Sequence, residues 1–299
     1  MTRRKILLAL ITQDNDYQRE QAAVAESTAK RLDVELQVVY ANSDAITQTQ
    51  QILTAIRTAA DRPDAVVVEP VGTGMLGVAK SAVQVGVGWM VLNREADYLK
   101  PIRESSAAPI GSVDCDNVEV GRIQGRQFAA LLPSGGSLLY IEGPPTDVSK
   151  QRRTGMEETL PSNIEVKSIR GRWTEESAFL AVNPWLQLES KRQSNIGIIG
   201  CQNDAMAMGA RRAVEQLSDP VARERLLKVP FTGVDGVRET GQAWVQKGLL
   251  AATVVTPALT GLAIELLVKS FGNGGQVPER TLTKPMSFPL VEKISPRKD

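Results

Sequence analysis

The sequence predicts an α/β protein whose strands divide between two parallel sheets, and three observations carry that expectation. Short apolar runs rich in β-branched residues alternate with longer amphipathic stretches almost from end to end, as in βαβ units. Many of these runs are apolar throughout rather than at every second residue, so helices cover both faces of the sheets. Ten such runs are too many for one open sheet of ordinary size, and two smaller sheets are expected.

The first-half strands are expected at residues 6–11, 35–40, 65–68, 88–92 and 110–113. Those of the second half are expected at 137–141, 165–169, 196–199, 230–234 and 251–255. Between them lie patterns of helical spacing: Tyr17, Gln21, Val24, Ala25, Thr28 and Leu32 form one stripe, as do Ile52, Leu53, Ile56 and Ala60. Met206, Ala210, Ala213, Val214 and Leu217 form a third. Residues 218–229, with their Arg-Glu-Arg, read as a surface insertion before the ninth strand. The Gly- and Pro-rich tail from Asn273 ends in a segment around Lys284-Pro285 that is expected to run between lobes.

Composition removes several function classes. A chain of 299 residues with 42% hydrophobic and 23% charged residues supplies a self-sufficient core. A net charge of +1 gives no general affinity for nucleic acid or an anionic membrane surface. Histidine is absent, which takes away the usual general base, the His-activated nucleophiles and the commonest metal ligand. Cys115 and Cys201 lie far apart without a Cys-x-x-Cys or Cys/His grouping and read as small buried apolar residues. No metal site and no cofactor is expected. At the N-terminus, Arg3-Arg4-Lys5 and the apolar run after it imitate a secretory signal, but the run is short and leads into polar Thr12-Gln13-Asp14 with no small-residue cleavage site. It reads as a buried first strand, and no segment has the length of a membrane span.

Gly72-Thr73-Gly74-Met75-Leu76-Gly77 has the dinucleotide-binding spacing, follows a strand, opens a helix and has Glu95 about twenty residues further on. It sits on the third strand rather than the first, and Glu69-Pro70 intervenes where a tight direct turn is needed, so a Gly-rich turn is the expectation. More informative is where polar and aromatic residues gather, because ligands of open α/β sheets bind outside the carboxyl ends of the strands. Asp14, Asn15 and Tyr17 follow the first strand, and Asn93 and Arg94 the fourth. Lys150 and Arg152 come after the sixth, Trp173 after the seventh, Asn203 after the eighth, Asp235 after the ninth and Thr256 after the tenth. The plain alternative is that such residues cap helices, which suits Asp16, Asn117 and Asp204, or that Tyr17 and Trp173 belong to the core and the arginines to solvent.

At these residues the chain resembles the type I periplasmic sugar-binding proteins, ribose-binding-protein-like, and the related ligand-binding domains of lactose-repressor-like regulators. The matching segments are Gln202-Asn203-Asp204-Ala205-Met206-Ala207-Met208-Gly209-Ala210, Gly233-Val234-Asp235-Gly236, the run from Gly248 to Val254, Val91-Leu92-Asn93-Arg94, and Asp114 to Asn117. The resemblance covers essentially the whole chain. It implies two similar doubly wound lobes joined by a three-segment hinge, one formed by residues 1–113 plus 256–284 and the other by 114–255 plus 285–299. It implies a ligand held by Asn15, Tyr17, Asn93, Arg94, Arg152, Trp173, Asn203, Asp235 and Thr256, with Asp14 and Lys150 as weaker members. Sugars suit such a set: planar Asp, Asn and Arg groups pair with hydroxyls, and aromatic rings with C–H faces. Where the family carries an aspartate before the arginine this chain has Asn93, its paired aromatics after the first strand are reduced to Tyr17, and Thr256 replaces a glutamine. With Arg94, Arg152 and Lys150 retained, a more positive site is expected, open to a sugar acid as well as a neutral sugar or cyclitol.

The expected function is therefore that of a non-enzymatic solute receptor closing around a small polyol for an ABC transporter permease or membrane sensor. It is expected to be a monomer that binds no nucleic acid and does not insert into a membrane. An effector-binding domain of a lactose-repressor-like regulator is the second reading, set back because the first strand leaves no room for a helix-turn-helix before it. An NAD-dependent enzyme is the third, set back by the missing histidine and the misplaced glycines. The resemblance implies a periplasmic location, whereas the absence of an export signal implies a cytoplasmic one if Met1 is the native start.

Overall fold

A computed structural model describes residues 3–94, 96–192 and 196–296. The chain divides into two units, one of Met1–Cys115 with Ala258–Thr283 and one of Asp116–Pro257 with Lys284–Asp299. The chain thus passes from unit to unit after Cys115, Pro257 and Thr283, where the sequence reading had placed the boundaries after residues 113, 255 and 284.

Unit 1 is built from β1 (Arg4–Leu10), α1 (Asp16–Arg31), β2 (Val34–Tyr40), α2 (Ala45–Arg57), β3 (Ala65–Val68), α3 (Leu76–Gln84), β4 (Gly88–Leu92), α4 (Leu99–Glu104) and β5 (Ile110–Cys115). Unit 2 continues with α5 (Asn117–Leu131), β6 (Gly136–Glu142), α6 (Asp147–Thr159), β7 (Ile164–Arg170), α7 (Glu175–Arg192) and β8 (Ile196–Cys201). Then follow α8 (Asp204–Glu215), α9 (Pro220–Leu227), β9 (Phe231–Asp235), α10 (Ala243–Gln246) and β10 (Ala252–Val255). The tail returns to unit 1 as α11 (Thr260–Asn273) and β11 (Arg280–Thr283), and ends in unit 2 with β12 (Met286–Phe288).

The sheet orders are β11-β5-β4-β3-β1-β2 and β12-β10-β9-β8-β6-β7, the same topology twice. All pairs of the first sheet are parallel. In the second, β12 pairs antiparallel with β10, so the expectation of a purely parallel sheet is corrected at that edge. The residues of β3, β4 and β5 are buried throughout because helices lie on both faces. On one face of the unit 1 sheet Ile6, Leu8 and Leu10 pack with α1 and α11; on the other, Leu7 and Ala9 pack with α2 and α3. Unit 2 repeats the arrangement, with Leu139 and Ile141 on one face and Leu138 and Tyr140 on the other.

Two further expectations change. Residues 218–229 are not a bare surface insertion: Asp219 caps α9 through the amides of Val221 and Ala222, Pro220 opens it, and Ala222 and Leu226 join the unit 2 core. The tail does not merely run between lobes but adds an edge strand to each sheet. Ala60, counted on the α2 stripe, lies exposed beyond the end of that helix. Both cysteines are buried and neither is bridged; burial raises the Cys201 thiol well above its ordinary pKa, with Asp204 adding to the effect.

Candidate functional site

In each unit the expected residues gather at the carboxyl edge of the parallel sheet. In unit 1, β1 ends and the chain turns through Thr12 to Asn15, whose side chain accepts from the Gln18 amide and starts α1. Asn15 and Tyr17 are buried there, whereas Asp14 is exposed and held by Thr12 Oγ1 at 2.9 Å. After β4, Asn93 adopts φ +54, and its backbone N–H donates to the Val113 carbonyl, so its side chain turns away from the strand. Arg94 donates to the Gly72 carbonyl and is not a purely solvated charge. Glu95 lies outside the described residues.

Sequence reasoning missed Glu69, at the end of β3 and only 4% exposed. Its two carboxylate oxygens accept from Gln18 Nε2 at 2.8 Å and from Asn93 Nδ2 at 3.2 Å. Burial raises its pKa; the Gln18 and Asn93 hydrogen bonds and the charge of Arg94 act against that, and Asp114 adds to it. The signal was present as a charged residue at the end of an otherwise apolar strand, directly before Pro70. It also accounts for Asn93, because a second carboxylate at this position would face Glu69 at hydrogen-bond distance.

In unit 2, Arg152 on α6 is 5% exposed. Its Nε donates to Asn117 Oδ1 at 3.0 Å, another nitrogen donates to the Gln202 carbonyl, and its guanidinium lies 5.6 Å from the centre of the Trp173 ring. Trp173 has φ +67, costly for a bulky residue, and its ring packs so close to Gly143 that a Cβ there would fall 2.2 Å from it. Asn203 fixes the same loop: its Nδ2 donates to the Trp173 carbonyl at 2.9 Å while its Oδ1 caps α8. Asp235, with φ +106, closes β9, and its carbonyl accepts from the Thr256 amide at 3.0 Å. Thr256 Oγ1 is buried with no hydrogen-bond partner among the described residues.

The structure separates caps from other roles. Asn15, Asp116 and Asn203 cap α1, α5 and α8, so Asp16, Asn117 and Asp204 are not the caps the sequence suggested. Asp204, 1% exposed, instead accepts from the Gly236 amide at 2.7 Å and Thr253 Oγ1 at 2.8 Å, tying α8 to β10 and to the loop after β9. Gln202 is a second buried hub: its Oε1 accepts from the Gly143 amide and Ser149 Oγ, and its Nε2 donates to the Ser149 carbonyl. Lys150 is not brought to this group; its side chain is 69% exposed and pairs with Asp147 at 3.6 Å.

The Gly72–Gly77 segment does not meet the demands of a dinucleotide turn. A Cβ on Gly74 or Gly77 would meet nothing within 4 Å, so no close helix–strand approach requires glycine there. Among the described residues no group of three or more His, Cys, Asp or Glu side chains is placed to hold a metal ion, and no helix is long and apolar enough to cross a membrane. A groove of about 510 Å³ in unit 1, between β2 and α2, is lined by Gln37, Thr47, Gln50 and Gln51 and by none of the expected site residues.

Residues 6–270 match the family model described as periplasmic binding protein domain. The chain belongs to that family. The family consists of solute-binding proteins, and the two units have its type I fold. The D-allose-binding periplasmic protein of Escherichia coli (strain K12) is 32% identical over 190 residues, a match that covers 61% of this chain and 56% of that relative's length. The galactofuranose-binding protein of the same organism is 24% identical over 281 residues, covering 91% of this chain and 83% of the relative. Among solved structures, an ABC transporter periplasmic solute binding protein from Actinobacillus succinogenes 130z with bound D-allose superposes with a TM-score of 0.81 at 24% identity, covering 95% of this chain and 97% of that one. A Caulobacter myo-inositol binding protein bound to myo-inositol gives 0.77 at 22% identity, covering 95% and 92%. At these identities the solved structures speak to the fold.

Proposed function

We propose that this family member is a solute receptor, without catalytic activity of its own, that closes around a small polyhydroxylated ligand and presents it to an ABC transporter or sensor. The observation that carries the reading is the set at the carboxyl edges, where Asn93, Trp173 and Asp235 all have positive φ, an angle that Asn and Asp tolerate and that is costly for Trp. At Trp173 the strain is held by the Asn203 hydrogen bond and the Gly143 contact, and the three positions together bring an amide, a ring and a carboxylate to the carboxyl edges, the groups that a sugar's hydroxyls and C–H faces require. The relatives' own ligands, D-allose, galactofuranose and myo-inositol, support the same class.

Within that class the charge balance favours a neutral sugar or cyclitol over a sugar acid. Glu69 restores a carboxylate beside Arg94, and Lys150 is spent on Asp147 at the surface. Arg152 alone remains buried with neutral acceptors. Titration calorimetry and thermal shift against D-allose, xylitol, myo-inositol and the matching sugar acids test this. A neutral polyol at a hundred times its Kd should stabilise the fold by about 2.7 kcal/mol. Binding of the acids with no response to any neutral polyol would overturn the ligand assignment, and silence across the whole panel would sink the receptor reading.

A further inference from the structure

Hydrogen-bond direction at Glu69 is fixed from one end. The backbone N–H of Ile11 donates to Gln18 Oε1 at 3.0 Å, so Gln18 cannot turn its amide without breaking that bond, and its Nε2 must point at Glu69. Glu69 accepts there and accepts again from Asn93 Nδ2 at 3.2 Å. Asn93 is left with Oδ1, which is buried and has no hydrogen-bond partner among the described residues. A buried acceptor left without a partner costs free energy, which a donor supplied from outside recovers.

We propose that Glu69 is a positioning residue that fixes the polarity of Asn93, so that this position presents an acceptor and selects a ligand hydroxyl acting as donor. The inference rests on the solute-receptor reading and adds to it a rule for one subsite. A carboxylate can accept from both neighbours; a glutamine cannot, having one oxygen and one NH2 group. In E69Q the locked Gln18 would claim the oxygen of the new side chain, its NH2 would face Asn93, and Asn93 would turn over to accept from it. The atom presented outward would then be Nδ2, a donor. Protonating Glu69 has the same consequence, since its single O–H can only go to the Asn93 side. The charged groups acting on Glu69 are Arg94, which opposes protonation, and Asp114, which favours it, while the other side chains bonded to it, Gln18 and Asn93, are neutral amides.

The test uses the full chain and has one readout that needs no ligand. Side-chain amide exchange of Asn93, followed by ¹⁵N NMR, should be slow in the wild type and at least about tenfold faster in E69Q, because Nδ2 loses its carboxylate partner. In the wild type the protection of the Asn93 amide, taken relative to a free asparagine amide at the same pH, should fall as Glu69 is protonated, which serves if E69Q does not fold. The second readout is binding of D-allose, xylitol and myo-inositol and of their monofluoro-deoxy analogues, which keep the shape but cannot donate. Whichever polyol binds the wild type should weaken by about tenfold or more in E69Q, and one of its fluoro analogues, rejected by the wild type, should gain on it. Unchanged Asn93 protection in both E69Q and the pH series overturns the proposal, as does an identical analogue preference in two proteins that both bind. Altered exchange with no polyol bound by either protein supports the relay and counts against the receptor reading instead.

Discussion

Arg152 ties three elements of unit 2 together from a buried position. Removing it takes a buried donor away from Asn117 Oδ1 and from the Gln202 carbonyl, so R152A should destabilise the protein by about 2–4 kcal/mol in urea unfolding, and R152K should rescue little because a point charge cannot serve both acceptors and stack on Trp173. Glu69 makes a prediction in pH. Its carboxyl pKa is raised in the folded protein, so its contribution to stability is fully present below the ordinary carboxylate range and is lost as pH rises through the raised value. The stability of the wild type relative to E69Q should therefore decline over that window, measured by urea unfolding at successive pH values; a difference that grew with pH would contradict the assigned direction. At this scale the sequence was readable for position, since Asn203 and Asp235 stand at the carboxyl ends of β8 and β9 as expected. It was not readable at Glu69, because only the fold brings Gln18, Glu69 and Asn93 together. Lys150 shows the converse: it stands two positions from Arg152, yet on a helix that spacing turns the side chains to different faces, and one is buried while the other meets solvent.

Among the elements, the pairing of α5 with α6 explains how Arg152 is held. The helices touch backbone to backbone: a Cβ on Gly121 would lie 2.0 Å from the Arg152 carbonyl, and one on Gly155 would lie 1.9 Å from that of Val118. G155A should force the helices apart at a cost of about 1–3 kcal/mol and weaken ligand binding through the displaced guanidinium, both visible in a combined unfolding and calorimetry experiment. Loss of stability with binding intact would show that α6 does not set the position of Arg152. The strands were legible because β-branched apolar runs between helices leave little choice of register or face, as with residues 65–68 and 88–92, whose limits coincide with β3 and β4. β11 and β12 escaped notice for the opposite reason. They lie at sheet edges with alternating or partial exposure, so Arg280–Thr283 and Met286–Phe288 carry no continuous apolar signal. Helix α9 has the look of an insertion in sequence because charges outnumber its two buried residues, although Asp219-Pro220 is a helix start signal.

For the whole molecule, the doubled topology was legible only in part. Ten strands announced two sheets, but the identical strand order of both halves has no counterpart in an evident sequence repeat, since what is shared is the order of elements and not the residues that fill them. The tail also sets a schedule for synthesis. Residues 116–257 hold every described α-helix of unit 2 and five of the strands in its sheet, so the body of that unit can assemble as the ribosome delivers it and then lacks only its edge strand and a short 3-10 turn. Unit 1 is made first but waits: Gln21 of α1 receives its partners, the amides of Leu259 and Thr260 and the Thr260 hydroxyl, only after all of those residues have emerged. A nascent chain halted before α11 should therefore expose the apolar side of α1 and bind a holdase chaperone, while one halted after β10 should already protect the body of unit 2 from proteolysis. Helix α1, written early, is covered only by a segment written 238 residues later.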